Sequence, residues 1–215
     1  MIAALFAMDN PMSSPLDSDY PRRGNAFSRW LASGFLRLAG WRVTNPMPAV
    51  PKAVIIGGPH TSNWDGIYTL AAMMQLGLDA HVMIKDSAFK GPFGAMLRWM
   101  GALPIARHKA GGVVEQTVAQ FNSRDKLVMV VAPEGTRGGA TQWKTGFYRI
   151  AEQAGVPIVL ATADYRKKEI TFARVIEPCG DVEKDLAEIF ECYASIHPRH
   201  PDKLSAPLKA LRERR

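Results

Sequence analysis

The 215-residue chain carries only two cysteines, Cys179 and Cys192. Two thiols cannot build a disulfide framework, and no paired Cys or Cys/His spacing suggests zinc, so the expected compartment is a reducing cytoplasm. No uncharged apolar run approaches the length needed to span a bilayer. The opening residues "MIAALFAM" stop at Asp9 and lack a basic leader; they are too short for a signal peptide or a span. Contact with a membrane is therefore expected from the surface alone. A glycine-rich phosphate loop of the Walker or dinucleotide type is also missing, which removes support for nucleotide hydrolysis and hydride transfer. There is no Gly-x-Ser-x-Gly turn to expose a serine nucleophile, so Ser62 or Thr61 beside His60 makes a poor hydrolase site. Internal repeats and nucleic-acid-binding motifs are absent as well.

Ordinary globular composition is present. Hydrophobic residues make up 47% and charged residues 22%, enough for one domain with a full core. The net charge of +7 favours anionic partners without choosing among them. Residues 1–24 read as a flexible leader rich in Pro, Ser and Asp. Residues 25–42 read as an amphipathic helix, because Phe27, Trp30, Leu31, Gly34, Phe35 and Leu38 recur at helical spacing among five arginines. Such a helix suits either an anionic membrane surface or docking on the rest of the fold. From residue 43 to 198, apolar runs such as "AVIIGG", "AHVMIK", "KLVMVVAPEG" and "VPIVLATA" alternate with helical stripes. That rhythm predicts a three-layer αβα domain with a mostly parallel sheet. "EITFARVIEP" alternates and is expected to pair antiparallel at the sheet edge. Residues 199–215 read as a basic, peripheral tail.

Ligands of open α/β sheets gather at the carboxyl ends of strands. Polar clusters fall there: "PHTSNWDG" after the first core strand, "IAR" ending at Arg107, and "PEGTRGG" with Glu134 and Arg137. Lys85 closes another strand. His60 and Asp65 can form a general-base pair, with the acid fixing the imidazole tautomer. Ser62 and Asp65 equally fit a helix capping box, and spacing alone weighs the two readings evenly. A metal site built from His60, Asp65 and His81 has only scattered ligands in its favour. Arg137 can grip phosphate or carboxylate with two parallel hydrogen bonds, or pair with Glu134 on a turn.

These residues together resemble the glycerolipid acyltransferase family, in which a His-x-x-x-x-Asp block is followed by three more. "PHTSNWD", "GALPIAR", "PEGTRG" and "VPIVLA" match the four blocks in order, across roughly residues 53 to 163. The resemblance implies a fatty acyl transfer from an acyl-CoA or acyl-carrier-protein thioester to an acceptor hydroxyl, by default that of 1-acylglycerol 3-phosphate. Neither metal nor resident cofactor is implied. By position, His60 is the general base and Asp65 its orienting acid. Arg107 and Arg137 hold the acceptor phosphate, Glu134 and Gly135 belong to the acceptor block, and Pro157 falls in the block linked to the acyl side. Lys85 stands where relatives also carry a basic residue. Pro59, Ala132, Gly138 and Leu160 depart from the pattern, which leaves a different acceptor open, such as an aminolipid or small metabolite. The implied partners are the acyl carrier, a lysophospholipid and the membrane surface, with no nucleic acid, and the implied place is peripheral at the inner face of the cell membrane. A metal-assisted phosphoester hydrolase and a non-catalytic binder of anionic lipid or nucleic acid are the rival classes.

Overall fold

The computed structural model describes residues 19–45, 47–99, 101–106 and 112–215. Among these, seven strands form one sheet. They are β1 (Arg42–Val43), β2 (Lys52–Gly58), β3 (Ala80–Lys85), β4 (Leu103–Ile105), β5 (Leu127–Val131), β6 (Ile158–Asp164) and β7 (Glu169–Ile176). Their order across the sheet is β1-β7-β6-β2-β5-β3-β4. All neighbours run parallel except the β6–β7 pair. The helices are α1 (Ala26–Leu38), α2 (Asn63–Leu76), α3 (Gly91–Trp99), α4 (Gly112–Asn122), α5 (Gly146–Ala154), α6 (Val182–Ala194) and α7 (Ala206–Glu213).

The pleat of the central strand sets the layers. In β2, Val54 and Ile56 face a cluster containing Phe121 of α4, Phe147 and Ile150 of α5, Ile189 of α6 and Leu208 of α7. Ala53 and Ile55 face the other way, toward Met73 and Leu76 of α2. All four β2 residues are fully buried, as expected of a strand covered on both faces. α2 ends on Gly77 and α5 on Gly155, both with left-handed backbone that lets the last carbonyls be capped.

The connections single out one point on the sheet rim. From β2 the chain passes through α2 to β3, beyond β5; from β5 it passes through α5 to β6, on the far side of β2. Two adjacent strands therefore send their connections in opposite directions, the arrangement that opens a crevice at their carboxyl ends. His60 follows β2 there, and Glu134 and Arg137 follow β5.

Several expected boundaries shift. β7 does pair antiparallel with β6, but the edge position belongs to the short β1, which pairs parallel with β7. The N-terminal helix ends at Leu38, with Ala39 as its cap, not at residue 42. Residues 19–24 are tied down and not a loose leader: Tyr20 is buried, and Arg23 N–H donates to the Gly77 carbonyl at 2.9 Å. Residues 1–18 lie outside the described residues. The C-terminal segment is not a peripheral tail. Leu204 and Leu208 belong to the main core, Ser205 accepts from Trp143 Nε1 at 2.9 Å, and Arg212 Nε donates to the Ala194 carbonyl at 2.9 Å. Two apolar side chains among many basic ones suffice to dock a short helix.

Candidate functional site

The segment Pro59–Asp65 is built by its own backbone. Ser62 caps α2 and accepts from Trp64 N at 3.2 Å. Asp65, three residues on, turns back so that its Oδ2 accepts from Thr61 N and Ser62 N, both at 2.7 Å. The same oxygen lies 3.5 Å from His60 Nδ1. The capping box and the His–Asp pair, alternatives on spacing alone, coexist on one carboxylate oxygen. Asp65 is 5% exposed. Burial raises its pKa, but hydrogen bonds involving His60, Tyr165, Ser62 and Thr61 outweigh that and hold it below the usual carboxylate value.

The imidazole's other nitrogen faces the second loop. Arg137 Nε donates to His60 Nε2 at 3.2 Å. An accepting Nε2 carries a lone pair, which assigns the neutral ring's proton to Nδ1, on the Asp65 side. That is the tautomer a general base needs, with its lone pair pointing away from the acid. Glu134 braces the same loop: its Oε1 accepts from the His60 backbone N at 3.0 Å. Glu134 is 3% exposed, and its Oε2 is buried without a hydrogen-bond partner among the described residues. Burial pushes its carboxyl up to about 7, with the His60 N–H opposing and the charge of Asp65 adding. This residue therefore acts on the loop backbone and does not offer an open carboxylate to a ligand.

Two glycines stand at close approaches here. At Gly58, a Cβ would come within 3.3 Å of Tyr193 and 3.4 Å of Trp143, so the end of β2 sits directly on these rings. Tyr193 in turn donates to the Ile56 carbonyl at 2.6 Å, fixing the strand that delivers His60. Gly135 takes a left-handed turn (φ +65°) and lets Lys144 pack where a side chain would stand.

An apolar cavity of about 450 Å³ abuts this turn. Val82, Met83, Val114, Val131, Phe147 and Ile150 line it between the sheet and α4 and α5, together with Pro133, Gly135 and Lys144 of the second loop. Its size falls in the range of small-molecule sites.

The structure thus brings together His60, Asp65, Glu134, Gly135 and Arg137. Lys85 ends β3 at the same rim, and Arg107 lies outside the described residues. Pro157 precedes β6 at the opposite, amino end of the strands, where its carbonyl accepts from Val54 N at 2.9 Å. With about 3.3 Å of rise per residue, that end is remote from His60, so the fourth block marks sheet structure here. His81 is also remote: its Nδ1 bonds the Gly101 carbonyl at 2.8 Å at the start of β3. Among the described residues no three His, Cys, Asp or Glu side chains cluster as metal ligands. Asp65 spends both carboxylate oxygens on protein donors.

Three nearby residues escape sequence reasoning. Tyr165, in the turn after β6, donates its hydroxyl proton to Asp65 Oδ1 at 2.7 Å. Arg199 lies over the rings of Trp64 and Tyr165 at 5.6 and 5.9 Å. Lys144 lies near the end of the second loop, two residues before α5. The run "HPRHP" held the only clue to Arg199: His197 Nδ1 lies 3.4 Å from Asp164 Oδ2, and His200 N donates to Thr61 Oγ1 at 3.3 Å. These contacts draw the segment after α6 onto the first loop.

Comparison with known proteins gives matches of three kinds. The acyltransferase family pattern matches residues 41–162. Over 166 residues the chain is 29% identical to the 1-acyl-sn-glycerol-3-phosphate acyltransferase of Haemophilus influenzae, covering 72% of this chain. The chain spans just under two thirds of that relative, 66% of its length. The crystal structure of the 1-acyl-sn-glycerophosphate acyltransferase PlsC from Thermotoga maritima shares the fold, with a TM-score of 0.56, 14% identity, and 78% and 75% of the two chains covered.

Proposed function

Since the chain belongs to the acyltransferase family, we propose that it moves a fatty acyl chain from an acyl-CoA or acyl-carrier-protein thioester to the hydroxyl of 1-acylglycerol 3-phosphate. The observation that carries this reading is the imidazole of His60, held between Asp65 on Nδ1 and Arg137 on Nε2. His60 Nε2 takes the acceptor's hydroxyl proton as that oxygen bonds to the thioester carbonyl carbon. The tetrahedral adduct then breaks its C–S bond, and the imidazolium returns the proton to the departing thiol. Asp65 stabilises the imidazolium in between. The Arg137 contact occupies the lone pair that the reaction needs, so productive binding draws the guanidinium away. An acceptor phosphate next to the reacting hydroxyl supplies the pull. The cavity beside the second loop offers an apolar place for an acyl chain, with Lys144 and Arg137 available to anionic groups.

The outer face of α1 and α2 supports a membrane-surface role. Phe27, Trp30, Leu31 and Leu38 of α1, with Trp64, Ile67, Leu70 and Met74 of α2, are exposed. The helices meet through other residues, since α1 buries Ala32 and Leu36 instead. The apolar stripe read in the sequence is thus left outside, beside Arg29 and Arg37, as a headgroup-facing surface requires. Among the described residues no helix is long and apolar enough to cross a membrane. Replacing Trp30 and Leu38 together by Glu is expected to reduce sedimentation with anionic liposomes while transfer to a detergent-dispersed acceptor persists; undiminished sedimentation removes this role. Deleting the whole helix is a poorer test, because it uncovers the partners of the buried Leu36.

The deciding experiment is a lipid-product assay with acyl-CoA and acyl carrier protein donors in parallel, offered lysophosphatidate and phosphate-free alcohols and amines. Preference for a phosphate-free acceptor overturns the substrate; absence of acyl transfer to any acceptor overturns the reaction.

A further inference from the structure

Resting on the general-base reading, we propose that Tyr165 is a positioning residue for the His60–Asp65 pair, its hydroxyl holding the one carboxylate oxygen of Asp65 that the helix start leaves open. Oδ2 is committed to Thr61 N and Ser62 N and faces His60. Oδ1 receives Tyr165 alone among the hydrogen bonds described, at 2.7 Å. Without that donor, a carboxylate buried to this degree gains by rotating toward water or the Arg199 guanidinium, and Oδ2 leaves the imidazole. With it, both oxygens are fixed, and the acid keeps its place through repeated turnover.

The Tyr165 ring is flanked on three sides. The ring of Trp41 meets Tyr165 edge-on at 4.9 Å, Tyr68 at 6.2 Å, and Arg199 covers it at 5.9 Å. Below, Asp164 fixes the turn by accepting from Arg166 N and Lys167 N, both at 2.9 Å. Burial and the neighbouring Asp65 both raise the phenol's pKa, so it remains a proton donor throughout the working range. Tyr165 stands 100 residues from Asp65 and outside the segment that matches the family. The contact is supplied by the turn between β6 and β7.

Tyr165→Phe keeps the ring and removes the bond. It is expected to lower kcat about 10- to 100-fold, as loss of an outer-shell orienting group does, with the acceptor KM little changed. Nitrogen-15 spectra of the His60 ring give a readout independent of turnover. The wild type is expected to hold its proton on Nδ1, and Tyr165→Phe to show the two tautomers averaged. Trp41→Phe is the packing control: it disturbs the same rings, and is expected to lower the melting temperature while kcat and the tautomer stay fixed. An averaged tautomer in the wild type overturns the proposal without any variant. So does a Tyr165→Phe protein with a fixed tautomer and normal kcat, or an equal kcat loss in Trp41→Phe. Because the spectra need no turnover, they separate a failed Tyr165 assignment from a failed general-base reading, which retained transfer in His60→Ala would signal.

Discussion

The loops that follow β2 and β5 meet at one crevice but are held in opposite ways. In the first, the Asp65 carboxylate meets two backbone N–H groups, an imidazole and a phenol, and little of it is exposed. In the second, Arg137 and Thr136 are exposed, and one oxygen of the buried Glu134 has no hydrogen-bond partner among the described residues. A group that moves a proton gains from fixed geometry, because preorganisation lowers the barrier at the moment of reaction. A group that grips an arriving anion gains from freedom to move. On the proposed function, this contrast puts chemistry at the first loop and recognition at the second, and substitutions can break it.

The largest effect on turnover is expected at the first loop. His60→Ala should lower transfer roughly 10²–10⁴-fold, the usual cost of losing a general base, while the melting temperature stays close to the wild type's. A folded His60→Ala protein with near-normal turnover removes the mechanism. Asp65→Asn should cost about 10²-fold or more in kcat and should also lower stability. Spacing suggests that asparagine preserves the helix start and so separates capping from catalysis. The structure removes that hope: an amide has one acceptor oxygen, and four donors converge on the carboxylate. A fall in kcat with unchanged melting temperature would show that the backbone bonds tolerate the amide.

Why this loop was legible and its surroundings were not follows from distance along the chain. His60, Ser62 and Asp65 lie within one turn of a helix start, where spacing nearly dictates geometry. The sheet layers were legible too, since an unbroken apolar run such as Ala53, Val54, Ile55 and Ile56 must be covered on both sides. Tyr165 and Arg199 reach the site only through sheet order, which places β6 beside β2 and brings the segment after α6 over Trp64. No local pattern encodes that. The stripe on α1 was visible as a stripe, yet periodicity cannot say which way it faces, and the helix packs through Ala32 and Leu36. In the C-terminal segment, charge hid the two leucines that dock it.

A middle-sized effect is expected at Arg137. Lysine keeps the charge but loses the planar fork that makes two parallel hydrogen bonds to phosphate. Arg137→Lys should raise the lysophosphatidate KM by about tenfold, equivalent to ~1.4 kcal/mol, with much less change for any slow hydrolysis of the thioester by water. Steady-state kinetics with both reactions measured side by side check this. An equal loss in the two would place Arg137 with the proton-transfer groups, and the contrast between the loops would fail.

The smallest effect on turnover belongs to Glu134, and its signature is pH dependence of stability. Burial holds its carboxyl at about 7, against an ordinary value of 4.5. Between those values the native chain keeps a proton that the unfolded chain has released. Stability contributed by this group is complete below about pH 4.5 and is lost as pH rises through about 7. Asp65, Asp164 and Asp185 shift the other way, below 3.8, so their effects fall in a more acidic window. Glutamine retains an acceptor for the His60 N–H and has no proton to lose. Denaturant unfolding across this range should therefore show wild-type stability falling with pH more steeply than that of Glu134→Gln, with turnover little changed. Parallel stability curves would remove the burial argument. A collapse of turnover in Glu134→Gln would instead mean that the charge itself meets the acceptor, and that the second loop, like the first, carries a fixed group at the reacting centre.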